Sequence, residues 1–91
     1  MLKKVLMTGM TASEDKIEGK EKVLRYMKNG KNPVCAAMYY KDRENGVTPF
    51  EAIYWDDGVY TWSSDTLYHF EKYNYRIEQE FVDYVLKKKD A

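Results

Sequence analysis

Residues 50–62 read FEAIYWDDGVYTW, two short aromatic runs joined by an Asp-Asp-Gly turn sequence. An Asp-Gly pair supplies the positive φ that a tight hairpin turn needs, so we predict a β-hairpin here. Two registers fit this turn. A two-residue loop would place Trp55 opposite Tyr60, whereas a three-residue loop would place Trp55 opposite Val59.

Both faces of this predicted hairpin are apolar. Alternation along the first strand puts Ile53 and Trp55 on one face and Phe50, Ala52 and Tyr54 on the other. Because both faces need cover, we predict a central hairpin packed by helices. A second interpretation leaves one aromatic face open for a partner, since protein interfaces favour Tyr and Trp.

Hydrophobic spacing and capping signals predict the elements around the hairpin. We expect a short strand at residues 2–8, a helix near residues 20–29 and a largely buried strand at residues 34–41. Two further helices are expected at residues 65–73 and 77–88, and Gly30 fits the left-handed position after the first helix. The predicted fold is therefore α+β, with a small antiparallel sheet centred on the aromatic hairpin and covered by about three helices.

The composition limits the size and the class of the protein. A chain of 91 residues has room for a single domain, residues 1–91, and 44% hydrophobic with 33% charged residues is typical of a globular domain. Nine tyrosines are an unusual number for this length. A buried tyrosine needs a partner for its hydroxyl, so we expect many of these rings at the boundary between core and water.

Charge and cysteine content argue against several kinds of partner. Fifteen basic and fifteen acidic residues cancel, so we expect no nucleic-acid partner and no membrane partner. The basic run at residues 87–89 fits the last turn of a helix. Cys35 is the single cysteine and lies in an apolar run, which predicts a structural role in a reducing cytoplasm. No stretch has transmembrane length, and the N-terminal apolar segment is too interrupted for a signal peptide.

Catalytic signals are weak. His69 is the only histidine and could act as a general base, but no nucleophile or metal-ligand spacing surrounds it. We therefore predict a surface or boundary position for it. The sequence has no phosphate-binding loop, zinc spacing or nucleophile elbow, so we predict no enzymatic activity, no cofactor and no metal.

A set of acidic and aromatic residues near the predicted loops is the candidate contact surface. A rim of carboxylates beside exposed rings would suit a basic protein partner, by electrostatic steering and aromatic anchoring. The loop at residues 42–49 and the hairpin tip supply the carboxylates, although turn chemistry alone also explains the adjacent aspartates of the tip. The candidate residues are Tyr39, Asp42, Glu44, Tyr54, Trp55, Asp56, Asp57 and Tyr60.

Three segments carry a resemblance to known proteins: DGVYTWSSD at residues 57–65, YHFEKY at residues 68–73 and EFV at residues 80–82. Together they resemble a pattern of small bacterial proteins, some of which are similar to immunity proteins of polymorphic toxin systems. The resemblance covers about the C-terminal half of the chain and is a scaffold pattern without an active-site motif. It implies a non-enzymatic inhibitor that binds a toxin, and it implies no catalytic residues.

Two alternatives remain open. The first is a small-ligand or small enzymatic domain with a pocket between sheet and helices near His69. The second is a self-associating module, in which exposed aromatic side chains meet those of a second copy in a homodimer.

Overall fold

The computed structural model describes residues 1–88 and has the α+β architecture that the sequence predicts. Strands and helices follow one another in these residues as β1 (Lys3–Lys4), β2 (Met7–Gly9), α1 (Lys20–Lys28), β3 (Lys31–Lys41), β4 (Pro49–Asp56), β5 (Tyr60–Ser63), α2 (Ser64–Tyr73), β6 (Arg76–Ile77) and α3 (Gln79–Leu86). The main sheet has the strand order β1-β5-β4-β3, and β2 pairs with β6 in a small second sheet.

The main sheet is mixed rather than wholly antiparallel. β3, β4 and β5 pair antiparallel as expected, but β1 pairs parallel to β5. The N-terminal segment that the sequence predicts as one strand is two strands, which join different sheets. The antiparallel prediction is therefore confirmed for the hairpin and β3, and the N-terminal segment adds a parallel strand, β1, to the same sheet.

The hairpin forms, but in a register different from both predictions. Trp55 pairs with Trp62, not with Tyr60 or Val59. The cause lies at the tip, where the Asp57 carboxylate accepts hydrogen bonds from the backbone N–H groups of Val59 at 2.9 Å and Tyr60 at 2.7 Å. The Asp57 N–H also donates to the Tyr60 carbonyl at 3.1 Å, so the turn residues are Gly58 and Val59. The turn thus lies one residue later than the predicted two-residue loop, and the two tryptophans come directly opposite each other.

The prediction of a left-handed Gly30 is wrong, because its φ is not among the positive values of residues 1–88. Asn32 has the positive φ in this segment, at 53°. Gly30 is required for space instead. A Cβ atom at this position would lie 2.6 Å from Trp55 Cβ and 2.8 Å from Trp62 Cζ2.

The core lies between the helices and β5. Val23 and Met27 of α1, Trp62 of β5, and Phe81 and Val85 of α3 are all buried in one cluster, which confirms the apolar stripes predicted for α1 and α3. Helix α3 is shorter than predicted, because residue 77 belongs to β6 and the helix ends at residue 86. Of the basic run at residues 87–89, the first two follow the helix and residue 89 lies outside the described part of the chain.

The prediction that residues 34–41 form a largely buried strand is wrong. β3 lies at the edge of the sheet, and nine of its eleven residues are exposed. Cys35 is also exposed. The apolar run predicts a strand correctly, but α2 packs mainly on β4 and β5 and leaves most of β3 uncovered.

Candidate functional site

Tyrosine hydroxyls in residues 1–88 are mostly paired with carboxylates. Six tyrosines donate to four acidic side chains: Tyr68 and Tyr73 to Asp42, Tyr26 and Tyr84 to Asp57, Tyr75 to Glu44, and Tyr60 to Glu80. The tyrosine excess and the acidic loops are the two features from which the sequence predicts a contact surface. The structure shows that many of these tyrosine hydroxyls and loop carboxylates are hydrogen-bonded to one another.

Asp42 is the centre of one of these clusters and is fully buried. Its carboxylate accepts the hydroxyls of Tyr68 and Tyr73, each at 2.6 Å, and the backbone N–H groups of Glu44 at 2.8 Å and Asn45 at 3.1 Å. Burial alone would raise the pKa of this carboxyl, but these donors outweigh burial and hold its pKa well below the usual range. The carboxylate therefore fastens residues 42–45 to α2 and is inaccessible to a partner.

His69 lies beside this cluster and has no free ring nitrogen. Its Nε2 accepts the backbone N–H of Arg43 at 2.9 Å, and its Nδ1 lies 2.8 Å from the backbone oxygen of Asp65. Since an amide N–H can only donate, the neutral ring carries its proton on Nδ1. The ring is fully buried, so the prediction of a surface or boundary position is wrong.

Asp57 ties the hairpin tip to two helices. Besides its backbone donors, its carboxylate accepts the hydroxyls of Tyr26 from α1 and of Tyr84 from α3, the latter at 2.9 Å. Burial would raise the pKa of Asp57, and the hydrogen bonds from Tyr26, the backbone and Tyr84 lower it by more. Asp57 and the buried Tyr60 therefore hold the tip in place.

The candidate contact residues do not come together. Asp42 and Glu44 precede β4, whereas Asp56 and Asp57 lie at its far end. Eight residues of strand separate the two acidic loops by roughly 26 Å, at ~3.3 Å per residue. The two loops therefore do not form the joint carboxylate rim that would suit a basic partner.

The largest exposed apolar side chains of the main sheet lie on β3 and its neighbour. Tyr39 is 68% exposed, Val34 is 61% exposed and Met38 is 50% exposed. Tyr54 of β4 pairs with Val34 and is also exposed. Among the residues 1–88, Tyr39 is the one tyrosine whose hydroxyl makes no hydrogen bond. Val34 and Tyr54 lie on one face of the sheet. Tyr39 pairs with Glu51 and so lies on the other face, and what these side chains share is the β3 edge. We name these four residues the β3 patch.

Val34 and Met38 are not among the candidate contact residues predicted from the sequence, because their apolar run predicts a buried strand. The signals of an edge strand were present in the sequence. Pro33 lacks an N–H group, and Lys31 and Lys41 stand at the two ends of the strand. Proline and lysine are both typical of sheet edges, where they discourage pairing with a further strand.

The pairing of β3 with β4 is irregular. Cys35 pairs with Ile53 and Tyr39 pairs with Glu51, so three residues of β3 lie opposite one residue of β4. A second register shift follows Lys31. Such bulges interrupt the row of free N–H and C=O groups along an edge and hinder the addition of another strand. A partner would therefore recognise the β3 patch mainly through side chains.

Residues 1–88 contain no group of three or more His, Cys, Asp or Glu residues placed to hold a metal ion. None of the helices in this part of the chain combines the length and the apolar character needed to cross a bilayer.

Comparison of the chain with protein-family models, with curated protein sequences and with solved structures finds no match.

Proposed function

We propose that this chain is a non-enzymatic protein-binding domain that contacts its partner through the β3 patch. The observation that supports this proposal is the exposure of Val34, Met38 and Tyr39 on one edge strand. Tyr and Met are enriched in protein interfaces. The Tyr39 ring is rigid and the Met38 side chain is flexible. Either can fill a pocket on a partner without main-chain pairing.

The size of the protein sets the extent of the contact. A standard interface buries ~800 Å² on each partner, and the surface area of this protein is 6169 Å². An interface would therefore occupy about an eighth of the surface, with the β3 patch at its centre. Tyr39 is the best anchor, because its hydroxyl has no bond to lose within residues 1–88.

The resemblance to immunity proteins supports a finer proposal, that the partner is a toxin domain in a bacterial cytoplasm. The exposed Cys35 in β3 fits a reducing compartment, where an accessible thiol remains free. An inhibitor of this kind acts by covering a functional surface of its target, so it needs no catalytic residues of its own.

The test compares matched substitutions in a binding assay. The immobilised protein is used to capture partners from cells of its source, and the captured protein is then titrated against Val34→Lys and Tyr39→Lys variants. Val47→Lys is the control, because Val47 is 73% exposed but lies in a loop outside the patch. We expect at least tenfold weaker binding for the two patch variants, about 1.4 kcal/mol each, and little change for the control.

Equal binding by all three variants would show that the β3 patch is not the contact surface. Light scattering shows whether the partner is a second copy of this chain or a different protein. A homodimer that dissociates in the Tyr39→Lys variant would identify the partner as a second copy. The bulges of β3 argue against that outcome, because they hinder strand pairing between two copies.

A further inference from the structure

A cleft of about 750 Å³ lies away from the exposed centre of β3. Its walls come from the second half of α1, the hairpin tip, and the segment around Gly30 that leads into β3. A volume of this size is within the range of small-molecule sites in proteins, roughly 300–1,000 Å³.

The floor of the cleft is aromatic and apolar. Tyr26, Trp62 and Val85 line it, and the rings of Tyr26 and Trp62 lie 6.1 Å apart. Gly30 also lines the cleft, in close contact with the paired tryptophans. The rigid packing below Gly30 therefore gives the cleft a preformed base on which an apolar or aromatic group could lie.

The walls carry more positive than negative charge. Lys22, Arg25, Lys31 and Lys88 are the cationic lining residues, and Asp56 and Asp57 are the acidic ones. The Asp57 carboxylate is already occupied by its tyrosine and backbone donors. The cations of the cleft thus outnumber the carboxylates that remain to balance them.

Two of the four cations have a partner within residues 1–88 and two have none. Lys22 donates to the backbone oxygen of Lys88 at 2.6 Å, and Lys88 lies over the ring of Tyr84 at 4.6 Å. The side chains of Arg25 and Lys31, in contrast, make no hydrogen bond or ion pair with any other residue of 1–88. Both remain available to an anion that enters the cleft.

We propose that this cleft binds a small organic anion with an aromatic body and a carboxylate or phosphate group. The planar Arg25 guanidinium would hold the anionic group through paired hydrogen bonds, and Lys31 would add a point charge. The aromatic body would lie against the Tyr26 side of the floor. Asp56 pairs with Lys31 across the ladder, so it would repel the anionic group on that side and direct it toward Arg25 of α1. This site goes beyond the proposed protein-binding function and does not depend on it.

The experiment titrates the full chain with phenyl phosphate and with benzoate, which share an aromatic ring and differ in the anionic group. Inorganic phosphate and neutral benzyl alcohol separate the contributions of charge and ring. The fluorescence of Trp55 and Trp62 reports binding, since both contact Gly30 at the cleft, and calorimetry gives the stoichiometry. We expect saturable 1:1 binding of at least one of the two aromatic anions, tighter than that of either control compound.

Substitutions decide whether the cleft is the site. Arg25→Gln should weaken binding about tenfold, the loss expected for one hydrogen bond between charged groups. Lys31→Gln should weaken binding by a smaller factor, because Asp56 lies opposite Lys31. Asp56→Asn should strengthen binding, because it removes the opposing charge. Lys4→Gln is the matched control, since it removes the same charge from β1, outside the cleft.

Three results would overturn the proposal. The first is the absence of saturation with both aromatic anions. The second is an equal loss of affinity in Lys4→Gln and Arg25→Gln, which would indicate only general attraction by surface charge. The third is weaker binding in Asp56→Asn. Circular dichroism confirms folding of each variant. Arg25 and Lys31 are exposed and have no side-chain partner within residues 1–88, so their replacement should cost little stability. In Asp56→Asn the amide oxygen can still accept the Gly58 N–H that bonds Asp56 at 2.9 Å.

Discussion

Replacing Gly30 with alanine tests the packing between α1 and the hairpin. The new Cβ would lie 2.6 Å from Trp55 Cβ, 3.0 Å from Trp55 Cγ and 2.8 Å from Trp62 Cζ2. Contacts this short require one of the groups to move. The Trp55 atoms are at the base of the side chain and follow the backbone of β4, and the Trp62 ring is buried. Neither tryptophan can move without disturbing the core.

The magnitude follows from this geometry. Overpacking a well-packed site costs ~1–3 kcal/mol, and two immobile neighbours place Gly30→Ala in the upper half of that range. Alanine also reduces the freedom of the unfolded chain, which offsets about 0.4–1 kcal/mol. We therefore expect a net loss of about 1–2 kcal/mol in the free energy of unfolding. For a domain of this size the loss corresponds to a decrease of roughly 4–16 °C in Tm.

The assay is urea and thermal unfolding at pH 7, followed by tryptophan fluorescence and far-UV circular dichroism. Gly46→Asn is the control. A Cβ at residue 46 meets nothing within 4 Å, and asparagine tolerates the φ of +70° at that position. We expect this control to remain within about 0.5 kcal/mol of the parent. A Gly30→Ala variant as stable as the parent would refute the close approach to the tryptophans and the register in which they pair.

Three other predictions concern hydrogen bonds, pH and the edge strand. Tyr26→Phe removes a donor to Asp57 and should cost about 1 kcal/mol in urea unfolding, whereas Tyr39→Phe should be neutral. The pKa of Asp42 is lowered in the folded state, so its carboxylate stabilises the fold above the unfolded pKa of ~3.9 and this contribution is lost as pH falls below that value. The decrease in the urea midpoint from pH 7 to pH 3 should therefore be smaller in Asp42→Asn than in the parent protein. Cys35 should react with one equivalent of a thiol reagent in the native protein, and protection until unfolding would contradict the exposed position of β3.

The sequence predicts what local interactions determine. Gly19 has a φ of +72°, which fits the prediction that α1 starts only at residue 20. The buried positions of α1 and α3 follow from helical spacing, and the Asp-Gly pair locates the hairpin turn. These signals act within a few residues of each other, so the type and approximate position of the elements are predictable from one sequence.

The order of the strands is not determined locally. An apolar run such as residues 34–38 has the same composition in a covered strand and in an edge strand, and only the pairing of the other strands decides between the two. The register of the hairpin depends on Asp57, whose tyrosine partners are 31 and 27 residues away. Contacts across such separations leave no periodic signal in the sequence, which explains the errors in β3 and in the turn.

The tyrosine–carboxylate pairs change how the composition bears on function. An excess of tyrosine beside acidic loops is expected of a binding surface, but it is equally expected of a small core that satisfies its hydroxyls with carboxylates. Tyr68 and Asp42 belong to the second case, since each is bonded to the other. Tyr39 belongs to the first, because its ring is exposed and its hydroxyl makes no bond within residues 1–88. The proposed contact surface therefore rests on the place of one tyrosine on an uncovered strand, and not on the number of tyrosines in the chain.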